Sequence, residues 1–350
     1  MTKNIFTHYA AGLRRRSDQR GVAGEFVVDP EAEHHDGVDI FLSSIQALND
    51  EEIRVYLFYC GDHKHRFDKY ASFLTLVPVK SVIAPKSSTH GVHSYSCHDS
   101  VPNMRVNVQR WFLYRNYIEQ NVHMFNSDDV FFHCDSVDVV FQKNIFDEIQ
   151  VRTRFNSKDI KYVGNDSILF FTECSEFTFI NESFNRNWMV DLHNGFRDPL
   201  VQNIKHNNIV CTGTIYFGNL SLFIEFVSAF ASYELICMSN NNIFRKNRYD
   251  KMGGVNDQGV INSLIYNYPQ PSYTFIKNEE VDLIFAMALL PLAKRQHKIE
   301  IVDDVVTVDG KVPCVLHQYN RYDCDEAGIN LVKWFSKSAN IESRYEYLFK

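Results

Sequence analysis

The feature that most limits how this chain can fold is a series of short, densely apolar, β-rich runs alternating with stretches of helical periodicity. IRVYLFYC begins at Ile53 and stops at Gly61, and DDVFFHCD, SILFF, IVCTGTIYFG and CVLHQY follow along the chain, with KYVGN and a segment around SVIA as further candidates. Runs of this kind read as buried strands. Between them, Val106 to Gln120 (VNVQRWFLYRNYIEQ) places apolar residues at helical spacing without proline, and NDQGVINSLIYNY and a segment around FDKYASFL also read as helical. Strand, helix, strand alternation predicts an α/β fold with a mostly parallel central sheet flanked by helices. Such sheets bind ligands at the carboxyl ends of their strands, and three of these runs end in polar clusters.

The 350 residues carry no internal repeat, low-complexity tract or glycine- and proline-rich linker. One continuous domain over residues 1–350 is expected, with an irregular arm over 1–40, a first half over 41–145 and a second over 146–350. The arm is inferred from basic LRRR with Arg20 and from acidic, turn-like DPEAEHHDG. Apolar residues at 45% and charged residues at 23% are those of a folded globular protein and exclude disorder, collagen and coiled coil. A net charge of -7 argues against a nucleic-acid binder that neutralises many phosphates, although a local basic patch stays open.

The eight cysteines are scattered without a C-x-x-C pair, so neither a disulfide framework nor a structural zinc site is signalled. MTKNIFTHYAAGLRRR has no apolar stretch ahead of a small-residue cleavage site, and IFAMALLPLA from Ile284 contains a proline and is roughly half a bilayer span. A cytoplasmic protein is expected. LRRR with Arg20 is either a solvated arm or a peripheral contact with an anionic membrane.

Within VFFHCDSVDVVFQ an apolar strand delivers Asp135 and Asp138 and turns apolar again at Val139. Burying carboxylates costs several kcal/mol unless they are paired or bound to a cation. Either the two acids hold a divalent ion, with a diphosphate completing its shell, or Asp135 caps a turn and Asp138 is solvated. CVLHQYNRY presents His317 at a strand end, as a hydrogen-bonded structural residue or as an imidazole ligand that would favour Mn2+ over Mg2+. GGVNDQGVIN sets Asp257 and Gln258 at a helix start, where an aspartate also serves as a cap. Gly213 interrupts IVCTGTIYFGN, which marks a bulge or a close approach to backbone.

In this order, from about Arg105 to about Tyr322, these segments resemble a nucleotide-sugar-dependent glycosyltransferase of the GT-A fold, of a bacterial and viral type carrying D-x-x-D-V-x-F-Q. The matching residues are Asp135 to Gln142, an upstream helix with Arg110, Gly213 in the segment where such enzymes carry N-x-G, Asp257 with Gln258, and His317 to Arg321 as H-Q-Y-x-R. The resemblance implies a GT-A, Rossmann-like fold, with the first half binding the nucleotide and the second binding the acceptor. It implies a metal-dependent transferase of hexosyl or pentosyl groups, with Mn2+ or Mg2+ held by Asp135, Asp138 and His317. A nucleotide-diphosphate sugar would be contacted by Asp135, Arg110, Thr212, Gly213, Gln258 and Arg321, and the acceptor would be a glycan or lipid-linked glycan. Asp257 is the candidate for orienting the acceptor hydroxyl or acting as general base. Two departures stand out: the acids are spaced D-x-x-D where D-x-D is commoner, and Cys211 occupies the usual asparagine position.

Trp188 is a candidate for an acceptor groove or for the core. Two other readings compete. A sugar-phosphate nucleotidyltransferase would open with a glycine-rich basic loop, which is missing near the N-terminus. A carbohydrate-binding pseudoenzyme would be expected to have lost one of Asp135, Asp138 and His317.

Overall fold

A computed structural model describes residues 1–10, 13–15, 26–28, 36–60, 64–79, 82–83, 95–96, 106–155, 164–173, 176–193, 195–240, 257–277, 282–287, 297–319, 323–324 and 329–339. Ten strands organise the site: β1 (Lys3–Ala10), β2 (Ile53–Cys60), β3 (Leu74–Pro78), β4 (Val130–Cys134), β5 (Val139–Phe141), β6 (Ile168–Thr172), β7 (Val210–Phe217), β8 (Tyr273–Ile276), β9 (Ile284–Ala286) and β10 (Val315–His317). The main sheet has seven strands in the order β8-β6-β7-β4-β1-β2-β3. Neighbours run parallel except where β7 lies antiparallel to both β6 and β4. A separate three-stranded sheet has the order β9-β10-β5.

The apolar runs lack clean alternation because both faces of the main sheet are covered. Ile5, Val55, Leu57, Phe132, Leu169 and Tyr216 point to one face, where they meet α1 (Asp36–Ala47) and α3 (Ile145–Phe155). α1 contributes Val38, Phe41, Leu42 and Ile45, the spacing of one helical face. Phe6, Phe58, Phe131, Phe170, Ile215 and Phe217 point to the other face, under α2 (Val106–Asn121), α5 (Leu220–Asn240) and α6 (Asp257–Asn267). Phe6, Phe131 and Phe223 pack ring on ring there, with Phe131 and Phe223 stacked at 4.7 Å. A further helix, α4 (Ser183–Leu192), lies against α6.

The expected irregular arm over residues 1–40 is corrected at its start, where β1 occupies an interior place in the sheet between β4 and β2. KNIFTHYA is half polar, and Lys3, Asn4 and Thr7 are each satisfied by distant residues. Lys3 Nζ reaches Asp50 at 2.6 Å and Asp147 at 2.7 Å, Asn4 donates to the Val130 carbonyl, and Thr7 donates to the Cys134 carbonyl at 2.7 Å. Leu13–Arg15 pairs with Phe26–Val28, while Arg16 and Arg20 lie outside the described residues.

Two smaller corrections follow the same logic of local geometry. The segment around FDKYASFL is a 3-10 helix over Lys64–Tyr70 that gives way to β3, and Gly164–Asp166 of KYVGN is a 3-10 turn, the rest of that segment lying outside the described residues. The run from Ile284 begins with buried β9. Among the described residues no helix is long and apolar enough to cross a membrane.

Glu234 lies on α5 with its carboxyl buried. Burial first, and the nearby Asp257 charge second, raise its pKa to about 8 from an ordinary 4.5. Between those values the folded protein holds a proton that the unfolded chain releases, so this group's contribution falls as pH rises through the interval. Glu234→Gln should therefore raise the melting temperature more at about pH 8 than at about pH 5. Thermal melts at the two pH values check this, and an equal effect at both would contradict it.

Candidate functional site

Two strand pairings converge to build the site. At the end of β4, the Asp135 amide donates to the Gly213 carbonyl at 3.0 Å, carrying the β4–β7 ladder one step beyond the Cys134–Thr214 pair. After Asp138 the chain leaves the main sheet as β5 and pairs with β10, placing Val139 opposite His317. Gln318 then turns through a left-handed conformation (φ 60°) and donates its amide to the Asp138 carbonyl at 2.6 Å. A non-glycine residue in that region costs energy unless its surroundings impose it. Here the turn ties the histidine segment to the acidic segment.

Asp135, Asp138 and His317 consequently each offer a ligand atom within 4.8 Å of the other two. His317 Nε2 lies 3.3 Å from Asp135 Oδ2 and 3.8 Å from Asp138 Oδ1. Gly213 forms the floor beneath them. A Cβ there would stand 2.5 Å from His317 Nε2 and 2.6 Å from Asp135 Oδ2, distances that real side chains do not tolerate. The glycine read from sequence as a bulge or a close approach lies in the stretch of β7 where its register against β6 shifts, and the imidazole and the carboxylate above it leave no room for a side chain.

Arg110 reaches this group from α2, and its side chain is only 6% exposed. Its two terminal nitrogens engage Asp135 and Asp257. A buried guanidinium between two carboxylates compensates charges that would otherwise repel each other. Burial opposes ionisation of Asp135, but the Arg110 charge, helped by His317, outweighs it and holds the carboxyl well below its usual range. Asp257 is shifted upward, first by burial and against the pull of Arg110. Burial alone would lower the His317 pKa, and Cys211, Asp135 and Asp138 together turn the shift upward. A proton and a metal compete for such a nitrogen.

Cys211, at the departure from the usual asparagine, sets its sulfur 3.0 Å from His317 Nδ1. The partner of one ring nitrogen fixes which way the other faces. Here Nε2 faces the two carboxylates. Asp257 is buried with Oδ1 accepting the Gln258 amide at 2.9 Å and Oδ2 engaged by Arg110. The Gln258 amide belongs to the next residue, one short of the amides that a helix cap accepts from, and both carboxylate oxygens of Asp257 are engaged within the chain. Arg110 likewise directs its terminal nitrogens at carboxylates.

Thr212 is buried in β7, and Arg321 lies outside the described residues. Trp111 is wholly buried, whereas Trp188 is half-buried on α4, where its Cβ would be 3.3 Å from a side chain at Gly259. Gln258 donates to Glu173 at 2.9 Å and to Asn185 at 2.7 Å. Glu173 and Asn185 were not identifiable as site residues from sequence, and Cys211 stood out only as the departure from asparagine. Of the first two, only the acid closing the SILFF run offered a signal, a strand that ends in charge.

No protein-family model matches the chain, and no curated protein matches it in sequence. Among solved structures the chain is similar to the galactosyltransferase LgtC in complex with donor and acceptor sugar analogues, at 10% identity and a TM-score of 0.47, with 98% of each chain covered. It is similar to the bifunctional glycosyltransferase WbbM at 12% identity and a TM-score of 0.47, covering 97% of this chain and 49% of that one. A third likeness is to the glycosyltransferase GlyE of Streptococcus pneumoniae TIGR4, at 12% identity and a TM-score of 0.42, covering 97% of this chain and 64% of that one.

Gly213→Ala should lower stability by roughly 1–3 kcal/mol, the usual cost of overpacking, with His317 displaced from Asp135. Denaturant melts and a crystal structure of the variant check this, and an unchanged melt would contradict it. Arg110→Met should cost about 3–5 kcal/mol because it leaves two carboxylates uncompensated, and Asp257→Asn in the same chain should recover part of the loss. The four-member mutant cycle measures that coupling.

Proposed function

We propose that the chain is a metal-dependent GT-A-type glycosyltransferase that moves a sugar from a nucleotide-diphosphate sugar to a hydroxyl of a glycan or glycolipid acceptor. The observation that carries this reading is the convergence of Asp135, Asp138 and His317 over a glycine floor beyond the carboxyl end of β4. Two carboxylates and an imidazole, drawn from separate backbone segments to within reach of one ion, fit a divalent cation. The mixed donor set favours Mn2+ over Mg2+. When bound, such a cation stabilises the charge that grows on a diphosphate leaving group.

The chain's own residues do the positioning. Asp135, Asp138 and His317 Nε2 would hold the ion. Arg110 keeps Asp135 ionised and fixed in direction, and Asp257 anchors Arg110 from the start of α6. Thr212 and Gly213 would border the donor sugar, and Arg321 is assigned to the diphosphate by the sequence resemblance. Residues 41–145 would form the nucleotide-binding half, and residues 146–350 the acceptor-binding half with the C-terminal metal-ligand segment. Cytoplasmic placement accords with the free thiols of Cys134, Cys211, Cys237 and Cys314, and a lipid-linked acceptor would bring the chain into peripheral contact with a membrane.

Thermal melts with a panel of nucleotide sugars and nucleoside diphosphates, each with and without Mn2+, test the reading. One donor should raise the melting temperature only with Mn2+, by an amount equivalent to about 2.7 kcal/mol at a hundred times its dissociation constant. Asp138→Asn should abolish that shift while leaving the unliganded melt cooperative. No shift with any donor, or a shift indifferent to both Mn2+ and the substitution, would reject it.

A further inference from the structure

His317 is held on both sides of its ring. Nε2 faces Asp135 Oδ2 at 3.3 Å and Asp138 Oδ1 at 3.8 Å, while Nδ1 lies 3.0 Å from the Cys211 sulfur. Cys211 and His317 are each 1% exposed, so bulk water is no substitute partner for Nδ1. Among the described residues Cys211 is the one group bonded to that nitrogen.

The sulfur is itself fixed in place. Beside the register shift between β6 and β7, the wholly buried Asn262 of α6 braces Val210, the residue before Cys211. Its Oδ1 accepts the Val210 amide at 2.8 Å, and its Nδ2 donates to the Val210 carbonyl at 3.0 Å. On the other side of Cys211, the Gly213 amide faces the sulfur. The backbone that carries the thiol is therefore tied to the same glycine that floors the site and to the helix that begins at Asp257.

Imidazole chemistry gives the contact at Nδ1 a direction. A ring nitrogen that binds a cation must present a lone pair, and a neutral imidazole then carries its hydrogen on the other nitrogen. With Nε2 turned to an ion, that hydrogen sits on Nδ1, and its acceptor is the sulfur. A thiol can take this part because sulfur accepts as well as donates.

We propose that Cys211 is a positioning residue for the candidate ion site, its sulfur accepting the Nδ1 hydrogen of His317 and so keeping the Nε2 lone pair turned toward Asp135 and Asp138. The inference rests on the ion reading of that trio and assigns a part in it to a residue that would touch neither ion nor donor. A side chain that mattered only through packing would act by its volume, whereas a hydrogen-bond partner acts by its lone pair. Alanine at 211 removes the acceptor, and serine keeps one.

Co2+ alone, as a spectroscopic stand-in for Mn2+, tests this on the full chain. Its visible absorption reports affinity. A hydrogen left on a cobalt-bound imidazole gives a far-shifted proton signal that is present in H2O and absent in D2O. The wild type should bind Co2+ and show that signal, and Asp138→Asn should abolish the binding. Cys211→Ala should weaken Co2+ by about tenfold, the scale on which a ligating histidine loses metal when its partner is removed. Cys211→Ser should recover most of that loss and keep the ring signal.

A loaded wild type without the exchangeable ring signal would overturn the role of Cys211 and leave the ion site standing. No weakening in Cys211→Ala, or equal weakening in Cys211→Ala and Cys211→Ser, would do the same. So would an intense sulfur-to-cobalt charge-transfer band, which would make the sulfur a ligand. A wild type that binds no Co2+, or binds it equally well after Asp138→Asn, would overturn the ion reading and this role together.

Discussion

The site depends on Arg110 standing between Asp135 and Asp257. Three carboxylates, counting Asp138, converge beyond the carboxyl end of the interior strand β4, and like charges brought that close repel one another. A single guanidinium on α2 offsets the repulsion by engaging two of them. It also joins the elements, since α2 carries the arginine, β4 leads into Asp135, and α6 begins at Asp257. The packing of α2 against α5 and β1 is what fixes the height of the arginine over the sheet. Core packing and site electrostatics are therefore one system, and a change in either is felt in the other.

The second constraint is steric. The main sheet and the small sheet meet at the loop from Asp135 to Asp138, and the register of each brings one polar group to the same place. Those groups approach only because β7 has no side chain at Gly213. A strand glycine normally weakens a sheet through lost packing and added chain entropy. Here both neighbours of Gly213 in β7 are buried, and the ladder continues to Asp135, so the weakness is confined to one residue.

Much of this was legible in the sequence where a physical rule forces a visible pattern. Strands covered on both faces are largely apolar unless each buried polar group finds a partner, and β2, β4, β6 and β7 stood out for that reason. Asp135, Asp138 and His317 were visible because an apolar strand running into charge needs an explanation. β1 was missed because Lys3, Asn4 and Thr7 are satisfied by Asp50, Asp147, Val130 and Cys134, partners far away in the chain that no local window contains. The helical period placed Arg110 on α2 but not its two carboxylate partners. The bonds of Gln258 to Asn185 and Glu173, and of Cys211 to His317, join separate elements and so appear only once the chain is folded.

The most direct test of the central claim is where an ion sits. Crystals grown with Mn2+ and a nucleoside diphosphate, measured at the manganese absorption edge, would locate it without reference to turnover. The account predicts one strong anomalous peak bounded by Asp135, Asp138 and His317, with diphosphate oxygens on its open side. A fully occupied peak elsewhere, or diphosphate bound with no ion at that trio, would contradict it.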